Sequence, residues 1–160
     1  MGAKVTQPHA DSEGDPRGSW TLVLVAIQFG CLGYLIFTGR LAAESRWLLG
    51  LQLAALLLGA WALLVMRPGR VNLAPILRPD ATLVTAGPYR LIRHPMYTSL
   101  LILTSAWLAD VYSPKRLAVW VVFLANTVVK LTLEERYLRD RFDHFEEYQR
   151  RTWRVIPFVY

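Results

Sequence analysis

Residues 47–66, WLLGLQLAALLLGAWALLVM, carry no charged side chain and open on a tryptophan. At 1.5 Å of rise per residue, about twenty helical residues cross the ~30 Å hydrocarbon core of a bilayer, and tryptophan favours the interface where such a helix enters. The stretch therefore reads as a transmembrane helix. On its N-terminal side, 20–37 (WTLVLVAIQFGCLGYLIF) is equally free of charge and reads as a span that precedes it, joined through a short polar turn at 39–46. On its C-terminal side the chain changes character. Residues 67–97, RPGRVNLAPILRPDATLVTAGPYRLIRHPMY, hold five arginines, five prolines and His94. Passive connections have a median of about 4–6 residues, so a loop of this length and composition is a candidate functional segment.

Two further apolar stretches follow, 96–109 and 117–129, the second ending at Lys130. Both are short for independent spans. Each can cross if its ends continue as helix into a polar pocket, with Lys130 snorkelling and Asn126 and Thr127 bonding to neighbouring helices. The whole is expected to be an all-α polytopic membrane protein with about four transmembrane helices and a cytoplasmic C-terminal helical extension. Composition agrees, with 54% hydrophobic and 19% charged residues.

Three segments follow: a flexible tail at 1–19, the first two transmembrane helices at 20–66, and a core at 67–160. The tail mixes Lys4, Asp11, Glu13, Asp15 and Arg17 with Gly, Pro and Ser and has no apolar period. The run at 20–37 exceeds the roughly 7–15 apolar residues of a secretory leader, and no cleavage pattern follows it. Met1-Gly2 with Thr6 fits the loose myristoylation pattern, but a multispan protein needs no lipid anchor. The one cysteine, Cys31, excludes a disulfide framework within the chain and a thiolate metal site. The net charge of +6 sits beside apolar spans, where retention on the cytoplasmic side and anionic lipid explain it without nucleic acid.

Orientation follows from the basic residues. The 67–97 loop and the segment carrying Arg136, Arg139, Arg141, Arg150, Arg151 and Arg154 are the rich ones; the other two loops carry Arg40 with Arg46 and Lys115 with Arg116. Both rich segments, and with them both termini, are expected on the cytoplasmic side. Between Lys115 and Ile156 there is no Pro or Gly, so the last helix is expected to continue past the membrane, burying Leu131, Leu138, Phe142 and Phe145 along one face. Trp153, Ile156, Pro157 and Phe158 suit an interfacial end.

Chemistry collects on that one side. The loop offers cations, an imidazole, two phenols and a Thr85-Ala86-Gly87-Pro88 turn that permits close backbone approach. Glu134 and Glu135 stand where the last helix leaves the membrane, and carboxylates there are costly unless paired or used. The plainer structural reading pairs these glutamates with Arg90 and Arg93 and makes His94-Pro95 a helix start. No metal-ligand spacing surrounds His94, and no glycine-rich nucleotide loop is present.

LVTAGPYRLIRHPMY (83–97), followed one span later by EERYL (134–138), Phe142, Tyr148 and VIP (155–157), resembles the isoprenylcysteine carboxyl methyltransferase family, membrane enzymes related to phospholipid methyltransferases. The match covers roughly the C-terminal half, and its combination of G-x-Y, R-H-P-x-Y and E-E-x-x-L at this separation is more specific than any one piece. The resemblance implies S-adenosyl-L-methionine as cofactor, held by Ala81, Thr82, Leu83, Val84, Tyr89, His94, Pro95, Met96, Tyr97, Glu134 and Glu135. It implies a lipid-like or prenylated acceptor entering from the bilayer, touched by Lys130. Lys130, Arg93 and Glu134 are the candidate catalytic residues.

The residues suit that chemistry. The cofactor carries a carboxylate, an ammonium, hydroxyls and a sulfonium, so its pocket needs cations, acceptors and aromatic walls together. A carboxylate acceptor is ionised near neutral pH and needs no general base, which leaves positioning as the main catalytic work. Lys130, or Arg90 with Arg93, is the candidate grip, with Asn126 and Thr127 beside it. Two departures stand out: Phe142 is followed by Asp143 where many relatives have Phe-Gly, and Ala74 falls where eukaryotic relatives place a polar cofactor contact. Lipid-linked carboxylate O-methylation is the leading reaction. Amine N-methylation of a phospholipid, a non-catalytic membrane scaffold and a membrane reductase using a nicotinamide are the alternatives. Membrane lipids are the expected surroundings, and the sequence sets no oligomeric state.

Overall fold

The structure is a computed structural model, and it describes residues 16–66, 83–142 and 144–157. It is helical: α1 (Pro16–Phe37), α2 (Arg46–Met66), α3 (Pro95–Asp110), α4 (Pro114–Arg141) and α5 (Phe145–Arg151), with a 3-10 turn at Gly87–Arg90. Among the described residues there is no strand, only an isolated parallel bridge between Ile92 and Trp153. The tail and the loop at 67–82 lie outside the described residues, except that α1 begins at Pro16, ahead of the apolar run.

The helices form because proline and local caps start them. Pro95 and Pro114 occupy the first turns of α3 and α4, where a missing N–H costs nothing, and the Ser113 hydroxyl accepts the Arg116 backbone N–H at 3.2 Å. α2 packs along α3 and α1 along α4, with further contacts of α3 to α1 and α4. Gly59 allows the first of these approaches. A Cβ there would stand 2.8 Å from the Ser99 hydroxyl, so a larger residue would force α2 and α3 apart.

The bundle is inside-out relative to a soluble protein. Thr21, Gln28, Gln52, Thr98, Thr104, Asn126, Thr127 and Lys130 are buried, while Trp20, Phe37, Trp47, Leu57 and Leu64 are exposed. Hydrocarbon accepts the apolar exterior, and polar groups inside bond from helix to helix. Asn126 donates Nδ2–H to the Leu24 carbonyl at 3.1 Å, and the Trp120 indole donates to the Thr104 hydroxyl at 3.2 Å.

One end of the bundle is closed by Arg116, only 2% exposed. Its guanidinium donates to the Leu35 carbonyl at 3.0 Å, the Thr38 hydroxyl at 2.7 Å and the Trp107 carbonyl at 2.9 Å. These sit at the C-terminal ends of α1 and α3, where a cation complements the helix dipole. Successive helices alternate in direction, so α3 begins at the opposite end, where His94 precedes it, and runs to this one.

α1, α2 and α4 are each long and apolar enough to cross a membrane. The expectation of about four crossings thus meets three helices that qualify among the described residues. The segment at 117–129 becomes part of the 28-residue α4, ~42 Å long, whereas 96–109 lies in the 16-residue α3, ~24 Å long. With the family reported below, the protein is an integral membrane protein.

One expectation is corrected. α4 runs on past Glu134 and Leu138 but ends at Arg141, short of Phe142 and Phe145, and Phe142 takes an extended conformation with φ −120° and ψ 109°. The break lets α5 turn back and bury Phe145 completely. No Pro or Gly signals it, because the stop is set by tertiary packing. Trp153 lies in the backbone bridge to Ile92.

Candidate functional site

The end of the bundle opposite Arg116 is assembled around the segment 86–94. Gly87 adopts φ +58°, and a Cβ there would sit 2.7 Å from Val65 Cγ2, so only glycine allows this turn against α2. The turn buries Tyr89, whose carbonyl accepts the Tyr148 hydroxyl at 2.6 Å. Burial pushes the Tyr148 phenol up to about 12, so it stays a donor at neutral pH. Burial, reinforced by the nearby Glu134 carboxylate, also raises the Tyr89 phenol. The Tyr89 hydroxyl is buried and has no partner among the described residues.

The C-terminal segment is laced to the same loop. The Arg93 N–H donates to the Trp153 carbonyl at 2.8 Å, the Trp153 N–H to the Leu91 carbonyl at 3.0 Å and the His94 N–H to the Arg154 carbonyl at 3.2 Å. The Thr98 hydroxyl donates to the Val155 carbonyl at 2.8 Å. These bonds carry Arg154 to the glutamates of α4.

Glu135 is the hub. Its Oε1 lies 2.9 Å from Arg93 Nε and 3.3 Å from His94 Nε2, and its Oε2 lies 3.2 Å from Arg154 Nε. The Arg93 guanidinium also donates to the Gln149 carbonyl at 3.1 Å and to the Thr152 carbonyl. A buried carboxylate so surrounded is compensated on both oxygens.

Glu134 is placed differently. Its Oε2 lies 3.8 Å from His94 Nδ1, beyond hydrogen-bond length, and its side chain is 26% exposed. The Tyr97 ring meets the His94 imidazole edge-on at 5.9 Å. On the membrane side of Tyr97, Lys130 holds its ammonium 5.6 Å from the ring centroid and 2.5 Å from Gln28 Oε1 on α1.

His94, Tyr97, Lys130, Glu134 and Glu135, 41 positions apart at the widest bond, are thus one cluster. Arg93 joins it through Glu135. Pro95 starts α3, Met96 is half-buried beside it, and Leu83 and Val84 lead half-buried into the turn that carries Tyr89. Ala81 and Thr82 lie outside the described residues, as do Ala74 and Asp143. Asn126 bonds to α1, and the Thr127 hydroxyl returns to the Phe123 carbonyl of its own helix at 2.8 Å. Arg90 does not reach the glutamates; it is exposed and lines a cavity of about 430 Å³ with His144, Tyr148 and Arg151.

Sequence reading missed Gln28 and Arg154. Gln28 had a signal, an amide in an otherwise apolar span. Arg154 had none to separate it from its arginine neighbours, because its position depends on the turn after α4.

The residues present suit a ligand with both hydroxyl and ammonium groups. The Tyr89 hydroxyl is an unpartnered buried group, and the Glu134 carboxylate keeps acceptor capacity beside it. No solved structure matches the chain. The cobalt-zinc-cadmium resistance protein CzcN of Cupriavidus metallidurans is 32% identical over 143 residues, covering 88% of this chain and 62% of its own length. The chain thus spans less than two thirds of that relative. A profile of the phospholipid methyltransferase family matches residues 50–144, which include α3, the Tyr89 turn and both glutamates of α4, and the chain belongs to that family of membrane methyltransferases.

Proposed function

We propose that the protein is an S-adenosyl-L-methionine-dependent methyltransferase that O-methylates the carboxylate of a lipid-linked, isoprenylcysteine-like acceptor. The observation that carries the reading is the single cluster in which Glu134 and His94 face one side of Tyr97 while Lys130 lies over its ring. Tyr89, His94, Tyr97 and Glu134 would hold the cofactor, which supplies an electrophilic methyl group. Glu134 accepts bonds from ammonium or hydroxyl groups, and the aromatic rings give an apolar wall for a sulfonium.

Lys130 would hold the acceptor. An ammonium has three N–H donors, and a carboxylate, ionised above a pKa of about 4, needs no base to become a nucleophile. The remaining work is alignment of the attacking oxygen, which a buried site supplies by excluding water and fixing position. The family's description favours a second reading, N-methylation of a phospholipid amine. An ammonium acceptor beside Lys130 meets like-charge repulsion and needs a route for its proton, which places this reading second.

In the membrane, α3 is proposed as the fourth crossing, with the cluster and both termini on the cytoplasmic side and lipid around α1 and α2. Calorimetric titration of detergent-solubilised protein with S-adenosyl-L-methionine and its demethylated product tests the cofactor. Methyl transfer to N-acetyl-S-farnesyl-L-cysteine and to phosphatidylethanolamine, assayed side by side, tests the acceptor. Absence of cofactor binding sinks the proposal, and binding of a nicotinamide instead supports a reductase.

A further inference from the structure

We propose that Gln28 of α1 is a positioning residue of the acceptor site, aiming the Lys130 ammonium at an anionic acceptor. This role rests on the methyltransferase reading above. Gln28 is 7% exposed and Lys130 2%, inside a bundle whose exterior is apolar. In such surroundings an ammonium stays where its partners hold it. Gln28 Oε1 takes one N–H at 2.5 Å, and the Tyr97 ring lies under the charge at 5.6 Å. Both of these partners are neutral, so neither cancels the positive charge, and N–H capacity is left for a third group.

The α1–α4 seam is polar beyond this one bond. Asn126, one turn before Lys130, donates to the Leu24 carbonyl at 3.1 Å, and its Oδ1 is buried without a partner among the described residues. Gln28 also lies outside residues 50–144, the part matched by the family profile. The acceptor side of the site is therefore completed by a helix that the family profile does not span.

A merely structural partner and a positioning partner respond oppositely to a negative charge. Gln28→Glu gives the buried ammonium a stronger partner, so a structural role predicts unchanged or higher thermal stability and unchanged kinetics. The positioning role predicts a similar melting temperature but a KM for N-acetyl-S-farnesyl-L-cysteine raised at least tenfold, because the cation is neutralised and the acceptor repelled. Gln28→Met, similar in length, should raise the same KM severalfold, with kcat changed less and the calorimetric Kd for S-adenosyl-L-methionine unaltered. Wild-type kinetics in both variants overturns the role of Gln28 and leaves the methyltransferase reading standing. A wild-type protein that binds no cofactor, methylates neither probe, or methylates only phosphatidylethanolamine overturns the inference together with the acceptor assignment.

Discussion

Glu134 and Glu135, adjacent on α4, divide the imidazole of His94 between them. Glu135 approaches Nε2 at 3.3 Å and Glu134 approaches Nδ1 at 3.8 Å. The first of these carboxylates is also claimed by Arg93 and Arg154, whereas the second is partly exposed and keeps acceptor capacity. Neighbouring residues of one type therefore hold different tasks.

Glu135→Gln should be mainly a stability variant. It removes the charge that compensates Arg93 and Arg154, whose side chains are 11% and 12% exposed, and leaves the C-terminal segment tied by hydrogen bonds without their central anion. Breaking a buried ion pair on one side costs about 3–5 kcal/mol. Thermal unfolding in detergent should show the loss, and a melting temperature equal to wild type would remove Glu135 as the hub.

Glu134→Gln should do the reverse. The neighbouring network stays intact, so the protein should unfold near the wild-type temperature while cofactor affinity falls about tenfold to a hundredfold, the worth of one charge-assisted bond of roughly 1.5–3 kcal/mol. His94→Ala should also weaken binding, with some loss of stability through Glu135. Calorimetric titration reads both, and wild-type affinity in the pair would dissolve the proposed site.

Much of this was legible because it depends on local pattern. Uncharged runs mark α1 and α2, Pro95 marks the start of α3, and the separation of His94 from Glu134 by one hairpin of helices brings them to a common end. What was not legible depends on contacts between distant segments. Nothing near Arg141 signals the end of α4, since the break exists to bury Phe145 and return Trp153 to Ile92. The same return delivers Arg154 to Glu135. The pairing of both glutamates with Arg90 and Arg93 was read from charge alone; the structure gives Arg93 to Glu135 and leaves Arg90 on another cavity.

Lys130→Ala and Lys130→Arg should differ if the residue grips an anion. The arginine keeps the charge and should retain more activity, whereas alanine loses both the cation and the contact with Tyr97. The expected signature is a KM for the acceptor raised more by alanine, by about tenfold or greater, with cofactor affinity little changed. Equal losses in the two variants would assign Lys130 to packing.

Gly87→Ala should disturb the site through the backbone. At φ +58° an L-residue is strained by roughly 1 kcal/mol, and the added Cβ would stand 2.7 Å from Val65 Cγ2. The turn must shift, moving Tyr89. A lowered melting temperature together with weaker cofactor binding is expected, and if neither changes, the turn has no role in presenting Tyr89.

Tyr148 links stability to alkaline pH. Its hydroxyl donates to the Tyr89 carbonyl at 2.6 Å, and burial pushes its pKa up to about 12 from the ordinary 10.0. A group whose folded pKa is raised contributes stability that is complete below the unfolded pKa and lost as pH climbs through the folded one. Stability should therefore fall between pH 10 and about 12, where the unfolded chain releases the proton first. Tyr148→Phe should cost about 1 kcal/mol at neutral pH through the lost bond and should flatten this alkaline decline, leaving the part due to Tyr89. Unfolding followed by intrinsic fluorescence at pH 8 and pH 11 separates the two proteins, and equal slopes would show that the Tyr148 hydroxyl does not hold the Tyr89 turn.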